Sequence, residues 1–170
     1  RISGEFGYKV SPHERTIDVF GHYFLSKKQF VTSASLFKLN LVNYPNSHFA
    51  YASYGLVLCG TVSEIEAGYQ FGQLALGLMQ RLNIKEWQCR VPAVVHSFVA
   101  HWKQSVRDTL LPLRAAYYSG LENGDFQFAG YSAILYAAYA YFAGTDKELT
   151  ELQRETESLS ASIHQMKQMT

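Results

Sequence analysis

The chain has 170 residues, 48% of them hydrophobic, which is enough for one domain with a real core or for one piece of a repeat array. A formal net charge of +1 argues against nucleic acid and anionic membranes as partners. The two cysteines, Cys59 and Cys89, sit in apolar surroundings; they read as buried free thiols in a reducing, cytoplasmic protein and are too few for a disulfide framework.

Residues 1–10 start on Arg1 and read as a cloning remnant or a disordered lead, with no signal peptide, so they are set apart from the fold. Ser11-Pro12 then opens a first helix, with Ile17, Phe20, Tyr23 and Phe24 as its inner stripe and Gly21 interrupting it. A second helix is predicted over 29–42, with Phe30, Ala34, Phe37 and Leu41 on one face. Asn43-Tyr44-Pro45-Asn46-Ser47 is a turn, because proline blocks continuation and Asn and Ser favour caps. A third helix covers 48–60.

The stretch over 64–82 carries the strongest helical period. Ala67, Phe71, Leu74, Leu78 and Leu82 form an apolar stripe, opened by a capping box of Ser63 and Glu66. Gly68 and Gly72 stand beside that stripe. Each lowers helix propensity by about 1 kcal/mol against alanine, so their presence predicts close approach of a second backbone. Beyond Asn83 a helix runs to about 102, with Pro92 marking either a late start or a kink. The next runs to about 123, capped by Ser105 or Asp108, and Pro112 poses the same alternative. Gly124-Asp125 makes a turn, a helix follows over 126–143, Gly144-Thr145-Asp146 ends it, and a charged helix over 147–169 closes the chain.

No sustained alternation marks a strand. The fold class is therefore all-α, about seven to eight helices in antiparallel pairs forming an irregular tetratricopeptide-like superhelical array, with 11–146 as the helical-repeat domain and 147–170 as a C-terminal capping or linker helix. Tyr51, Tyr54-Gly55, Leu58, Ala67 and Phe71 fall in tetratricopeptide register, and Ala-Gly-Tyr recurs at Ala67 and Ala129. The uncharged runs at 39–63 and 126–145 contain polar residues throughout, and the second reads as a buried helix, not a membrane span. Leu149, Leu152, Thr156, Leu159, Ile163 and Met166 make a heptad seam of under three heptads, suited to a capping helix or to a homodimer through the C-terminal helix.

Chemistry is sparse. His96 and His101 are five apart and fall on different helix faces, His13 and His22 are nine apart, and no metal, nucleotide or nucleophile motif is present; no cofactor, metal or catalytic residue is expected. The densest basic group is Arg90, His101, Lys103, Arg107 and Arg114. Twelve tyrosines, including Tyr51, Tyr54, Tyr117, Tyr118, Tyr131, Tyr136, Tyr139 and Tyr141, suit either a core or half-wet groove walls.

The segments YASYGLVLCG, IEAGYQFGQLALGLM and AHWKQSVRDTLLPLRAAYYSGLENGDFQFAGYSA together resemble the helical region of large multidomain signalling proteins common in cyanobacteria. Those proteins carry a serine/threonine-kinase-like domain, an ATPase domain, this helical stretch, a GAF sensor domain and a histidine kinase. The resemblance covers 49–144. It implies a non-catalytic protein-interaction module that relays state between the ATPase or kinase domains and the sensor histidine kinase, and it transfers no catalytic residue. The expected partner is protein, a neighbouring domain of the same chain or a signalling partner. It would be held on a concave face by Tyr51, Tyr54, Tyr117 and the basic residues Arg90, His101, Lys103, Arg107 and Arg114. The alternatives are a ligand-sensing bundle with a tyrosine-rich pocket and a structural dimerisation unit.

Overall fold

The computed structural model describes residues 11–61, 63–82, 88–144 and 147–169. Expectations that fall on residues 1–10, 62, 83–87, 145–146 and 170, and on the side chain of Met166, lie outside the described residues. Every regular element among the described residues is helical: α1 Glu14–Ser26, α2 Phe30–Asn43, α3 His48–Gly60, α4 Ile65–Leu82, α5 Arg90–Phe98, a 3-10 turn Ala100–Trp102, α6 Val106–Glu122, α7 Phe126–Ala143 and α8 Leu149–Met169. No described helix is long and apolar enough to cross a membrane.

Local chemistry sets the boundaries. Ser47 Oγ accepts from Ala50 N at 3.1 Å and Ser105 Oγ from Arg107 N at 3.3 Å, satisfying amides that the first turn leaves open. His13 Nδ1 does the same for Arg15 N at 3.2 Å. Gly124 (φ 73°) and Gly144 (φ 64°) supply the left-handed residues that follow α6 and α7. Pro92 occupies the third position of α5, so that helix starts late instead of kinking there. Pro112 lies inside α6, well past its Ser105 cap. The capping box at Ser63 does not form: Ser63 sits at φ 59°, and Glu66 Oε1 and Oε2 are engaged by Gln70 and Lys103.

Two apolar stripes are corrected. On α1 the buried residues are Ile17 and Gly21, while Phe20 and Tyr23 are half exposed. Gly21 does not interrupt the inner face; it is the inner face, because a Cβ there would come within 2.6 Å of the Phe37 ring. On α4 the buried line is Gly68, Gly72 and Ala75, whereas Leu74 and Leu82 are exposed. The small residues mark the contact and the leucines flank it.

That contact sets backbone against backbone. A Cβ on Gly55 would stand 2.7 Å from the Gly68 carbonyl oxygen, and a Cβ on Gly68 would stand 2.8 Å from the Gly55 oxygen. Gly55 also meets Gly72, and Cys59, one turn further along α3, meets Gly68 and Ile65 instead, so α3 and α4 run in opposite directions. Gly72 in turn receives Val95 and Val99 of the α5 segment. The α6–α7 pair repeats the device with Gly120 against Ala129. A Cβ on Gly130, which matches Gly68 in the two Ala-Gly-Tyr segments, would meet nothing within 4 Å, so the structural counterpart of Gly68 is Ala129, one residue out of phase.

The principal contacts of each helix are with the next helix in the chain or the next but one, the pattern of a stack of hairpins. Two cores result. One gathers Ala52, Cys59, Ala75, Val91, Val95 and Val99; the other gathers Leu113, Tyr117, Ala129, Ala133, Tyr136 and Leu159. Both cysteines are buried and unpaired by disulfide. The seam on α8 faces inward: Leu152 and Leu159 are buried and Ile163 packs on the second core, whereas Leu149 is exposed. Leu159→Ala is expected to remove about 2–3 kcal/mol by leaving a cavity, and limited proteolysis should then cut within α8 first. Unchanged stability and an unchanged digest would mean that α8 is not part of the folded unit.

Candidate functional site: a half-buried seam across alternate helices

The second half of α1 and the first turns of α3, α5 and α7 bring side chains together. His22 on α1 lies edge-on to Phe37 (5.0 Å between centroids) and 6.3 Å from Phe49 on α3. Phe49 meets Phe128 on α7 at 6.4 Å, edge to face, and Phe128 meets Tyr131 at 5.8 Å. Arg90, the first residue of α5, lays its guanidinium 5.1 Å from the Phe128 ring centre and pairs with the Asp125 carboxylate that caps α7. Phe49 and Phe128 belong to helices four apart in the chain, so the seam joins elements distant in sequence.

Its electrostatics are uneven. Asp18, one turn before His22, has its carboxyl pushed up to about 6, first by burial and then by the nearby Glu14, against the lowering effect of Arg90. Its Oδ1 is buried without a hydrogen bond and lies 3.7 Å from His22 Nε2. Burial lowers the pKa of His22, which favours the neutral ring. Glu14 accepts from the Ser47 hydroxyl, tying α1 to the start of α3, and Asn40 Nδ2 donates to the Glu14 carbonyl at 3.4 Å, tying α1 to α2. Burial, followed by the Asp125 charge, pushes the Cys89 thiol up to about 12, which keeps it protonated and unreactive.

Ser53, His22 and Asp18 stand close together. Ser53 Oγ is 3.4 Å from His22 Nε2, the same nitrogen that Asp18 approaches. A hydrolytic relay needs the acid on the other ring nitrogen and an accessible hydroxyl. Here both groups share one nitrogen and Ser53 is fully buried. The arrangement locks α1 onto α3. No group of three or more metal-ligating side chains occurs among the described residues.

Of the residues expected to bind a partner, Arg90 lies in the seam, as does Tyr131 of the wider tyrosine set. Tyr51 and Tyr54 are on the opposite side of α3, stacked on and edge-on to Phe71 at 5.9 and 4.8 Å. Tyr117 is buried in the second core. His101 packs against Trp102 and Tyr139. The other basic residues tie elements together: Lys103 reaches Glu66 at 2.6 Å, Arg107 Nε donates to the last carbonyl of α7 at 3.0 Å, and Arg114 stands 3.7 Å from Glu155. Tyr136 donates to Glu155 at 3.1 Å, Lys147 approaches the same carboxylate at 2.6 Å, and Tyr139 donates to the Ser97 carbonyl. Burial alone would raise the Glu155 pKa, but these donors outweigh it and hold the group ionised.

Sequence reasoning missed Asp18, Phe49, Asp125 and Phe128 as site residues. Each looks ordinary within its own helix, and only the meeting of four helices gives them a shared role.

No family model, curated protein or solved structure matches this chain.

Proposed function

We propose that this chain is a non-catalytic helical interaction module of a larger ATP-binding signalling kinase, relaying the state of ATPase or kinase domains to a sensor histidine kinase. The resemblance supplies that setting. The observation that carries the interaction role is the convergence of His22, Phe49, Arg90 and Phe128 from four helices on one half-buried face. Aromatic rings provide wide contact area at small entropy loss, and a fixed Arg–Asp pair beside them orients a polar partner group. The bound element is a protein segment of a neighbouring domain, laid along α1 and the first turns of α3, α5 and α7. Movement of that segment shifts the hairpins relative to one another, which is how state passes along a stack whose units touch only near neighbours.

Calorimetric titration with the purified neighbouring domains tests this. Tyr131 is half exposed at the edge of the seam, so Tyr131→Ala should weaken binding about tenfold or more without unfolding the chain. Leu111→Ala, at an exposed position on α6, should leave binding unchanged. No heat of binding from any neighbour, or equal loss in both variants, would remove the proposal.

A further inference from the structure

In the middle of the stack, α4 and α6 both pack on α5 but scarcely on each other. A cleft of about 360 Å³ opens between them, with α5 along its floor. Leu76 and Met79 of α4, Pro92 of α5, and Pro112 and Ala115 of α6 give it apolar walls. Pro112 and Ala115 stand three apart on one face of α6, and both side chains are too short to close the gap. The cleft lies away from both ends of the stack. At 100° per residue, Pro92 and His96 fall about 200° and 240° round α5 from Arg90, so the cleft and the seam are on opposite sides of that helix.

His96 also lines the cleft. Its Nδ1 is enclosed and has no hydrogen-bond partner. Its Nε2 is not enclosed and takes no hydrogen bond among the described residues, so this nitrogen is open to the cleft. Burial lowers the pKa of the ring, which is therefore neutral at pH 7 and carries a single N–H. A proton on Nδ1 would be a donor shut away from every acceptor; on Nε2 it points where an acceptor can enter. Gln88 and Ser119 add neutral polar groups. Neither a charged side chain nor a tyrosine lines the cleft among the described residues, so it differs from the tyrosine-rich pocket expected of a ligand-sensing bundle.

We propose that this cleft binds a small uncharged aromatic molecule, whose carbonyl oxygen or ring nitrogen accepts the His96 Nε2–H. The volume is near the lower end of ligand sites, about 300–1,000 Å³, and suits one ring system. The ring of the ligand packs on Leu76, Met79 and the two prolines and fills the space between α4 and α6. A charged head would lose its water there and gain no counter-charge.

Nuclear magnetic resonance of the histidine ring nitrogens and methionine methyls tests the proposal, with benzamide as the probe. The free protein should show His96 protonated at Nε2. Benzamide should shift the His96 nitrogens and the Met79 methyl together, with a Kd of about 1–10 mM, as befits so small a ligand. Benzoate and benzylamine keep the ring and charge the head, and should leave both signals in place. His96→Phe keeps a ring and removes the donor, so the Met79 shift should need about tenfold more benzamide. Ala115→Trp, at an exposed position, should fill the cleft and abolish the shifts while the helical content stays unchanged. Protonation of His96 at Nδ1 overturns the proposal, as does the absence of any shift up to the solubility limit of benzamide. So does a charged analogue that binds as well as benzamide, undiminished binding in His96→Phe, or binding that persists in Ala115→Trp.

Discussion

Gly68→Ala is expected to destabilise the fold by about 2–3 kcal/mol, while Gly77→Ala in the same helix stabilises it by about 0.5–1 kcal/mol. The added methyl is identical, and only its surroundings differ. At position 68 it would stand 2.8 Å from the Gly55 carbonyl oxygen and 2.9 Å from the Cys59 nitrogen. Both are backbone atoms of α3, and neither can move without separating the helices. At position 77 nothing lies within 4 Å, so the only effects are a better helix former and a less flexible unfolded chain. Urea unfolding of the two variants beside the wild type measures the difference. Equal effects would mean that α3 and α4 do not nest through their glycines.

The second large effect is at Asp18. Its carboxyl, ordinarily near 3.8, is raised to about 6, so the folded chain binds this proton more tightly than the unfolded chain does. The stability linked to that proton is present below pH 3.8 and is lost as pH rises through about 6. Asp18→Asn removes the ionisation and keeps the shape. Two pKa units correspond to about 3 kcal/mol; the side chain keeps some water contact, so a gain of about 2 kcal/mol at pH 7.5 is expected, shrinking to nearly nothing at pH 4. His22 has the reverse sign. Burial lowers its pKa from 6.5, so its contribution is present above 6.5 and is lost as pH falls through the lowered value. The Asn variant should therefore keep the acid loss that the histidine causes. A variant no more stable than wild type at pH 7.5 would show that Asp18 is solvated and that the seam is open to water.

Much of the architecture was readable in the sequence. The all-α class holds, and α3 and α7 begin and end where the turn and cap residues place them, because Ser47, Gly60, Asp125 and Gly144 act locally. The expected close approach at Gly68 and Gly72 is also observed, since a strongly periodic helix that keeps two glycines needs a reason for them. Where periodicity failed, it failed at surfaces. Phe20 and Tyr23 on α1, and Leu74 and Leu82 on α4, are apolar at helical spacing yet exposed, while glycine and alanine hold the contacts. A stripe of large residues identifies an amphipathic helix but not which of its apolar edges is inside when small residues provide the nearest approach. Of the expected binding residues, the site was legible at Arg90, with Tyr131 named among the tyrosines. The partners of Arg90 come from positions 35 or more residues away, at Asp125 and Phe128, and no spacing rule connects them.

The interaction role is tested most directly by site-specific photocrosslinking in the intact parent chain, with a benzophenone side chain in place of Tyr131 at the seam or of Leu111 on α6. The proposed function predicts an intramolecular or partner crosslink from position 131 that depends on nucleotide state, and none above background from position 111. Crosslinks of equal yield from both positions, or from 111 alone, would contradict it.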